Sequence, residues 1–288
     1  MLKYKIIKEI DDGLSKDTKY IVLINKKKYL LRISDFNNSK MFTYKIIKEI
    51  YNIHNISKLY SYYNLDNKIY AFFNYIDGEP LKQLFPNLNE NEKYNYGVQA
   101  GNLLRLLHSK KNKNLEIKIS NNEVVKCIIN NYDNFSLKNN IINKLYNYCK
   151  KILVNIDLNK YSFLNADFHS MNMIINNKNL FLIDLEKYEY GDPTRDFTFI
   201  YTFDEDRIYA NGIINSYHCF KTIPENFWYS FKFFSALYII QYYMWNINKF
   251  NEIGNSIDIA TKFLCDYNGS SNKPNWYFKK DVRAVYEK

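Results

Sequence analysis

Residues 165 to 197 read NADFHSMNMIINNKNLFLIDLEKYEYGDPTRDF, and the fold turns on how that run divides. Two short apolar stretches, MNMIIN and LFLIDL, are joined by the polar NKN, the pattern of a two-stranded hairpin. Asp167 lies just ahead of the first stretch, Asn172 at its start and Asp184 directly after the β-rich FLI. A hairpin brings its outer ends together, so Asn172 and Asp184 converge, with Asp167 one turn away. An amide oxygen and a carboxylate form the donor set of a hard cation such as Mg²⁺, phosphate oxygens and water completing the shell. A third carboxylate, near the cation but off it, is placed to take a proton from an attacking hydroxyl. Phosphoryl transfer is the chemistry these residue types support.

Upstream, YKIIKEI occurs twice, at residues 4 to 10 and 44 to 50. One seven-residue match with dissimilar flanks is not a repeat array. The first copy runs into DDG and then KYIVLI and KKYLLRI, separated by the polar NKK, and reads as the start of a strand meander. The second follows NNSKMF and keeps apolar residues at 46, 47, 50 and 53, a helical spacing. KLYSYYNLD and KIYAFFNYI form a further strand pair, and DGEP at residues 77 to 80 is a breaker that ends the β-rich part. Beyond it, EKYNYGVQAGNLLRLLHS and NNIINKLYNYCKKIL are amphipathic helices, and residues 224 to 267 form a second helical block. The expected architecture is α+β and two-lobed. A small β-rich N-terminal lobe spans residues 1–78, and a larger, mostly helical C-terminal lobe spans 79–288.

At 288 residues and 47% hydrophobic, the chain buries a core without staples. Cys127, Cys149, Cys219 and Cys265 show no C-x-x-C pairing, and Lys3, Lys5 and Lys8 interrupt any secretory leader. Reduced thiols and a cytoplasmic location are expected. FFSALYIIQYYMWNI, residues 233 to 247, is short for a membrane span and carries Gln241, so it reads as a buried helix and no membrane partner is expected. A net charge of +10 admits an anionic partner. The lysines sit among asparagines, as in SKKNKNLEIK, without aromatic platforms, and nucleic acid is not expected. Against that background, residues 184 to 207 hold eight acids and three bases. The stretch reads equally as a solvated loop or as an attractor for a cationic small molecule.

NADFHSMNMII followed by FLIDLEKYEYGDPTRDF resembles the aminoglycoside phosphotransferase and choline kinase family, whose pattern runs H-G-D or H-N-D, H-x-x-N, I-D and G-D-P-x-x-D. The likeness extends outward. DGLSKDTKYIV resembles that family's phosphate-covering loop, KKYLLRI its nucleotide-contacting strand, FFNYIDGEP its hinge, GNLLRLLHS the helix before the catalytic segment and KPNWYF the tail of some members. The resemblance implies a protein-kinase-like fold that moves the γ-phosphoryl group of ATP or GTP to a hydroxyl of an aminoglycoside-like or other small acceptor, cationic ones included. Antibiotic resistance is the role an aminoglycoside acceptor would carry. By position, Asp167 is implied as the catalytic base, Asn172 and Asp184 as Mg²⁺ ligands and Arg32 as the nucleotide-phosphate contact. The segment around Gly13 and Ser15 would cover the phosphates, and backbone groups of Phe73, Asn74 and Tyr75 would hold the base. Asp192 and Asp196 would brace the loop. Oligomeric state is left unset.

Three departures stand out. Asn165 and Ala166 replace the histidine and glycine before the catalytic acid, the asparagine remaining a hydrogen-bond donor. Thr43 stands where a helix glutamate should pair with the phosphate-binding cation, and Glu49, six residues on, lies about 240° around the helix. The first loop holds one glycine, Gly13. These motivate one alternative, a non-catalytic kinase-like nucleotide-binding protein; a choline or sugar-alcohol kinase of the same fold is another. His169 reads as a hydrogen-bonded structural residue. His54, His108 and His218 show no partner pattern.

Overall fold

β-branched and aromatic residues dominate the strands of the first third of the chain, as a pleated half-buried surface favours. The computed structural model describes residues 2–10, 17–49, 53–110, 120–203, 205–268 and 271–279. Strands β1 (Lys5–Ile10), β2 (Thr18–Ile24) and β3 (Lys27–Asp35) lead to helix α1 (Asn38–Glu49), then β4 (Leu59–Leu65) and β5 (Lys68–Asn74). There follow β6 (Glu79–Pro80), α2 (Leu81–Leu84), α3 (Glu90–His108), α4 (Asn121–Asp133), α5 (Asn140–Ile152), β7 (Ser162–Leu164), β8 (Met173–Asn176), β9 (Asn179–Leu182) and β10 (Glu189–Gly191). Helices α6 (Phe199–Thr202), α7 (Arg207–Tyr217), α8 (Glu225–Phe250) and α9 (Ser256–Asp266) complete the order.

The first compact unit comprises residues 1–83 and 171–186. Its antiparallel sheet has the order β1-β2-β3-β5-β4, over a core of Val22, Ile24, Tyr29, Leu31 and Phe72. Three of its hairpins close on two residues with positive φ, Asn25 and Lys26, Asp66 and Asn67, and Asn177 and Lys178. That is the mirror-image turn that matches strand twist and that Asn and Asp tolerate. The two YKIIKEI copies part as expected. In β1 nearly every residue is exposed, whereas α1 buries Tyr44, Ile46 and Ile47. A sheet edge and a helix stripe select different faces of the same letters.

The breaker at residues 77 to 80 does not end the strands. Glu79 and Pro80 pair with Ile175 and Ile174 of β8, making a three-stranded sheet β6-β8-β9. Gly78 permits this approach, because a Cβ there would lie 2.3 Å from the Ile175 carbonyl oxygen. On the other edge, Leu182 N–H donates to the Asn55 carbonyl at 2.9 Å and its own carbonyl accepts from Ser57 N–H at 2.8 Å. Both edges of the β8–β9 hairpin are thus bonded to the N-terminal segment. The compact units accordingly differ from the expected division at residue 78: the hairpin belongs with the sheet.

The second unit comprises residues 84–170 and 187–288. Helices α3 and α7 pack backbone to backbone, since a Cβ on Gly97 would sit 2.2 Å from the Tyr209 carbonyl oxygen and one on Gly212 2.3 Å from that of Tyr94. Helix α8 buries Phe231, Phe233, Phe234 and Leu237 completely, in keeping with a core helix. Among the described residues no helix is long and apolar enough to cross a membrane. Capping boxes start α3, at Asn89 and Glu92, and α4, at Ser120 and Glu123. The spacing analysis did not find α4 or α7. Strands β7 and β10 pair as a short antiparallel ribbon, Leu164 opposite Glu189.

Candidate active site

In the first unit the hairpin register sets the geometry. Met173 pairs with Leu182, and Ile183 N–H donates to the Asn172 carbonyl at 2.9 Å. Asn172 and Asp184 therefore flank the open end of one ladder. Asp184 has φ of 57°, a left-handed conformation that turns the chain out of the strand.

Arg32 stands mid-strand in β3, between Lys19 and Ala71. Its guanidinium is nearly buried and lies 2.9 Å from Asp17, 3.2 Å from Asp184 and 3.1 Å from Glu186. Burial alone would lower its pKa, but Glu186, Asp184 and Asp17 together push it up, so it stays charged. Among its described side chains, helix α1 contributes no acid to this cluster. Instead Lys40 bonds Asp17 at 2.7 Å and approaches Glu186 at 3.9 Å, and the Tyr44 hydroxyl donates to Glu186 at 3.1 Å. Thr43 is buried beside them in the chain. The missing helix glutamate is thus replaced by carboxylates from two other segments, and the helix supplies a cation and a phenol. Gly13 and Ser15 lie outside the described residues, as does the Glu49 side chain. Asn74 N–H is already bonded to the Lys58 carbonyl at 2.8 Å and its carbonyl accepts from Ser57 Oγ at 2.8 Å. Tyr75 N–H reaches the Lys28 carbonyl at 3.5 Å.

In the second unit Asp167 is 7% exposed. One carboxylate oxygen accepts from Lys187 Nζ at 2.8 Å and the other lies 3.4 Å from His169 Nε2. Burial raises the carboxyl, but hydrogen bonds from His169 and Lys187 outweigh it and hold the pKa down at about 2. Its turn is fixed from a distance. Asp196 accepts Asn165 N–H at 2.7 Å and Ala166 N–H at 2.8 Å, and His108 Nε2 lies 3.1 Å away. His108 is therefore a core brace, its other ring nitrogen 2.8 Å from the Tyr217 hydroxyl. Asn165 acts as an acceptor, taking Asp167 N–H at 3.2 Å, while its own amide nitrogen is buried without a partner. The donor role expected of it is not what the structure shows. His169 stacks on Phe203 at 3.9 Å.

The acidic stretch is neither a solvated loop nor an open attractor. Asp192 caps the turn at Thr194, at 2.8 Å to its N–H, and Glu205 accepts both Ser170 N–H and Oγ, at 2.9 and 2.8 Å. Asp206 caps α7 and pairs with Lys93 at 2.9 Å. Glu189 pairs with the buried Arg195. With Asp184, Glu186 and Asp196 held as above, every described acid of the stretch has an internal partner; Asp204 lies outside the described residues. A cavity of about 340 Å³ opens within this unit, lined by Ala166 next to Asp167 and by Leu164, Val124, Glu189, Arg195 and Tyr238 among others.

Glu186 and Lys187 lie two and three residues after Asp184, a spacing plain in the sequence. Asp17 and His108 carried no sequence signal, because their partners lie far along the chain. Among the described residues, no group of three or more His, Cys, Asp and Glu side chains is arranged to hold a metal by itself. A site built from Asn172 and Asp184 would depend on phosphate and water for the remaining ligands.

Residues 6–226 match the phosphotransferase enzyme family. The chain belongs to that family. No curated protein matches its sequence. Among solved structures, this phosphotransferase is similar to a thermostable mutant of aminoglycoside phosphotransferase APH(4)-Ia, with a TM-score of 0.67 at 10% identity over 93% of this chain and 96% of that one. It is similar also to amicoumacin kinase hAmiN, with a TM-score of 0.64 at 11% identity over 92% and 90%. Choline kinase from Cryptosporidium parvum Iowa II gives 0.59 at 13% identity over 91% and 88%. The resemblance read from the Asp167 to Asp196 motifs is shown, and so is the fold: protein-kinase-like, α+β, β-rich at the N-terminal side and helical beyond.

Proposed function

We propose that this phosphotransferase is a small-molecule kinase that transfers the γ-phosphoryl group of ATP or GTP to a hydroxyl, with Asp167 as the base. The observation that carries the reading is Asp167 itself, an ionised carboxylate in a turn braced by Asp196 and beside a cavity. Asn172 and Asp184 fit a hard cation, being oxygen donors flanking one ladder end with the Asp184 side chain a third exposed. Mg²⁺ held there would neutralise phosphate charge. Arg32 is kept charged by its carboxylates and would offset charge on the donor phosphates. The second lone pair of the Asn74 carbonyl, with the backbone of Tyr75, would meet the nucleotide base.

A carboxylate with a pKa of about 2 is a weak base, and the reaction tolerates one. The transferring group passes through a loose transition state, so the hydroxyl needs orienting more than early deprotonation. Asp167 accepts its hydrogen bond, aligns it and takes the proton late. The non-catalytic alternative rested on Thr43 and Asn165; Asp17, Glu186 and Asp184 contact Arg32 where Thr43 offers no charge, and Asn165 still holds the turn by accepting Asp167 N–H. The four free thiols suit a cytoplasmic enzyme.

The test is Mg²⁺-dependent release of nucleoside diphosphate from ATP and GTP against a panel of small alcohols. Asp167→Asn should lower kcat by roughly 10² to 10⁴ while nucleotide affinity is kept. Wild-type turnover in that variant would remove Asp167 from the mechanism.

A further inference from the structure

Resting on the kinase reading of Asp167, we infer that the acceptor carries no positive charge beside its reacting hydroxyl: it is an uncharged alcohol whose apolar side enters the cavity of the second unit. The first observation is Lys187. Its ammonium sits 2.8 Å from the carboxylate that would receive the hydroxyl, and its side chain as a whole is 63% exposed. A cationic group attached near that hydroxyl would meet this ammonium at close range, and like charges there repel.

The second observation is that each described carboxylate lining the cavity already has a partner within this unit. Glu123 accepts the Ser120 N–H at 2.7 Å within the α4 capping box. Glu189 is paired with Arg195. Asp196 is taken up by two backbone N–H groups and His108. A polycationic acceptor would have to share these carboxylates with the partners they already hold. The third concerns aromatic binding of a quaternary ammonium. Tyr238, the phenol of the lining, accepts from Arg195 Nε at 2.9 Å and has that guanidinium 5.8 Å from its ring centre. A cation already occupies its approach. What remains facing the space is Val124, Ile128, Leu164, Ala166 and Phe199, with Gln241 as a neutral hydrogen-bonding group. Such a lining favours an apolar body with few polar anchors.

The discriminating experiment uses a matched pair: choline and its carbon isostere, in which a tert-butyl group replaces the trimethylammonium. Binding to the full chain loaded with Mg²⁺ and ADP is followed by calorimetry, and kcat/KM by diphosphate release from ATP. The neutral alcohol should bind more tightly, with kcat/KM at least tenfold higher. Lys187→Gln should shrink that ratio several-fold by improving choline. Val124→Phe should weaken the neutral alcohol while leaving nucleotide affinity, measured separately, as a check on folding. Choline binding as well as or better than its isostere overturns the inference, as does a ratio unmoved in Lys187→Gln. Failure of both alcohols to bind, with nucleotide bound normally, removes the cavity as an alcohol site and overturns it too. Wild-type protein that binds no Mg²⁺-nucleotide overturns the kinase reading and this inference together.

Discussion

Arg32 draws its partners from several separate segments of the chain. The guanidinium is bonded to Asp17, Asp184 and Glu186, and Lys40 and Tyr44 hold two of those acids in turn. Removing Lys40 takes away an ion pair to Asp17 and a cation near Glu186 in a mostly buried setting. Lys40→Met should therefore lower unfolding free energy by roughly 1.5–3 kcal/mol, the range for a hydrogen bond to a charged group, read as a shifted urea midpoint. Lys40→Arg should retain most of it. A Met variant as stable as wild type would mean that the acids are satisfied without the helix. At this scale the convergence of Asn172 and Asp184 was legible because a single hairpin fixes their spacing. The partners of Arg32 were not: Asp17 approaches from before β2 and Glu186 from beyond β9. Charge was legible but burial was not: Glu205, read only as part of an acidic stretch, is a buried acceptor for Ser170, whereas Asp192 and Asp196 brace the fold as the resemblance implied.

Among elements, strands and amphipathic helices were readable and the fully buried helices were less so. Helix α7 is RIYANGIINSY, and from Tyr209 to Ser216 every residue is buried. With no wet face it has no apolar period to detect, and Gly212 and the buried Asn211 and Asn215 argue against a helix on propensity. Tertiary contact explains them. Gly212 admits α3, while Asn211 donates to the Trp276 carbonyl and accepts the Phe278 N–H, tying down the tail. Gly97→Ala, from the α3 side, places a methyl against a carbonyl oxygen that cannot step aside. A loss of about 1–3 kcal/mol is expected from overpacking, although alanine is the better helix former. Chemical denaturation of the variant decides it, and an unchanged or raised midpoint would show that the helices separate freely.

On the scale of the whole molecule, acid response is set by groups far from the site. His218, at the end of α7 and 4.5 Å from the Phe227 ring, is pushed down by burial to about 4 from its ordinary 6.5. At pH 7 it is neutral in folded and unfolded chains alike. Below about 6.5 the unfolded chain binds a proton that the folded chain refuses until about 4, so stability is complete above that window and declines through it. Asp167 adds a separate loss only lower down, between its ordinary 3.8 and about 2. Urea midpoints between about pH 7.5 and 4.5 should fall in wild type and fall less steeply in His218→Gln. Parallel curves would assign the acid sensitivity to other groups.

The chain also passes between its two compact units at residues 83 to 84, 170 to 171 and 186 to 187. The segment bearing Asn172 and Asp184 is an island, 16 residues long, set within the sequence of the other unit. Genetic recombination at any single breakpoint from 84 to 170 would carry Arg32 into a new background and leave Asn172 and Asp184 behind. Neither compact unit is therefore a separately inheritable cassette: a single crossover cannot move either one whole.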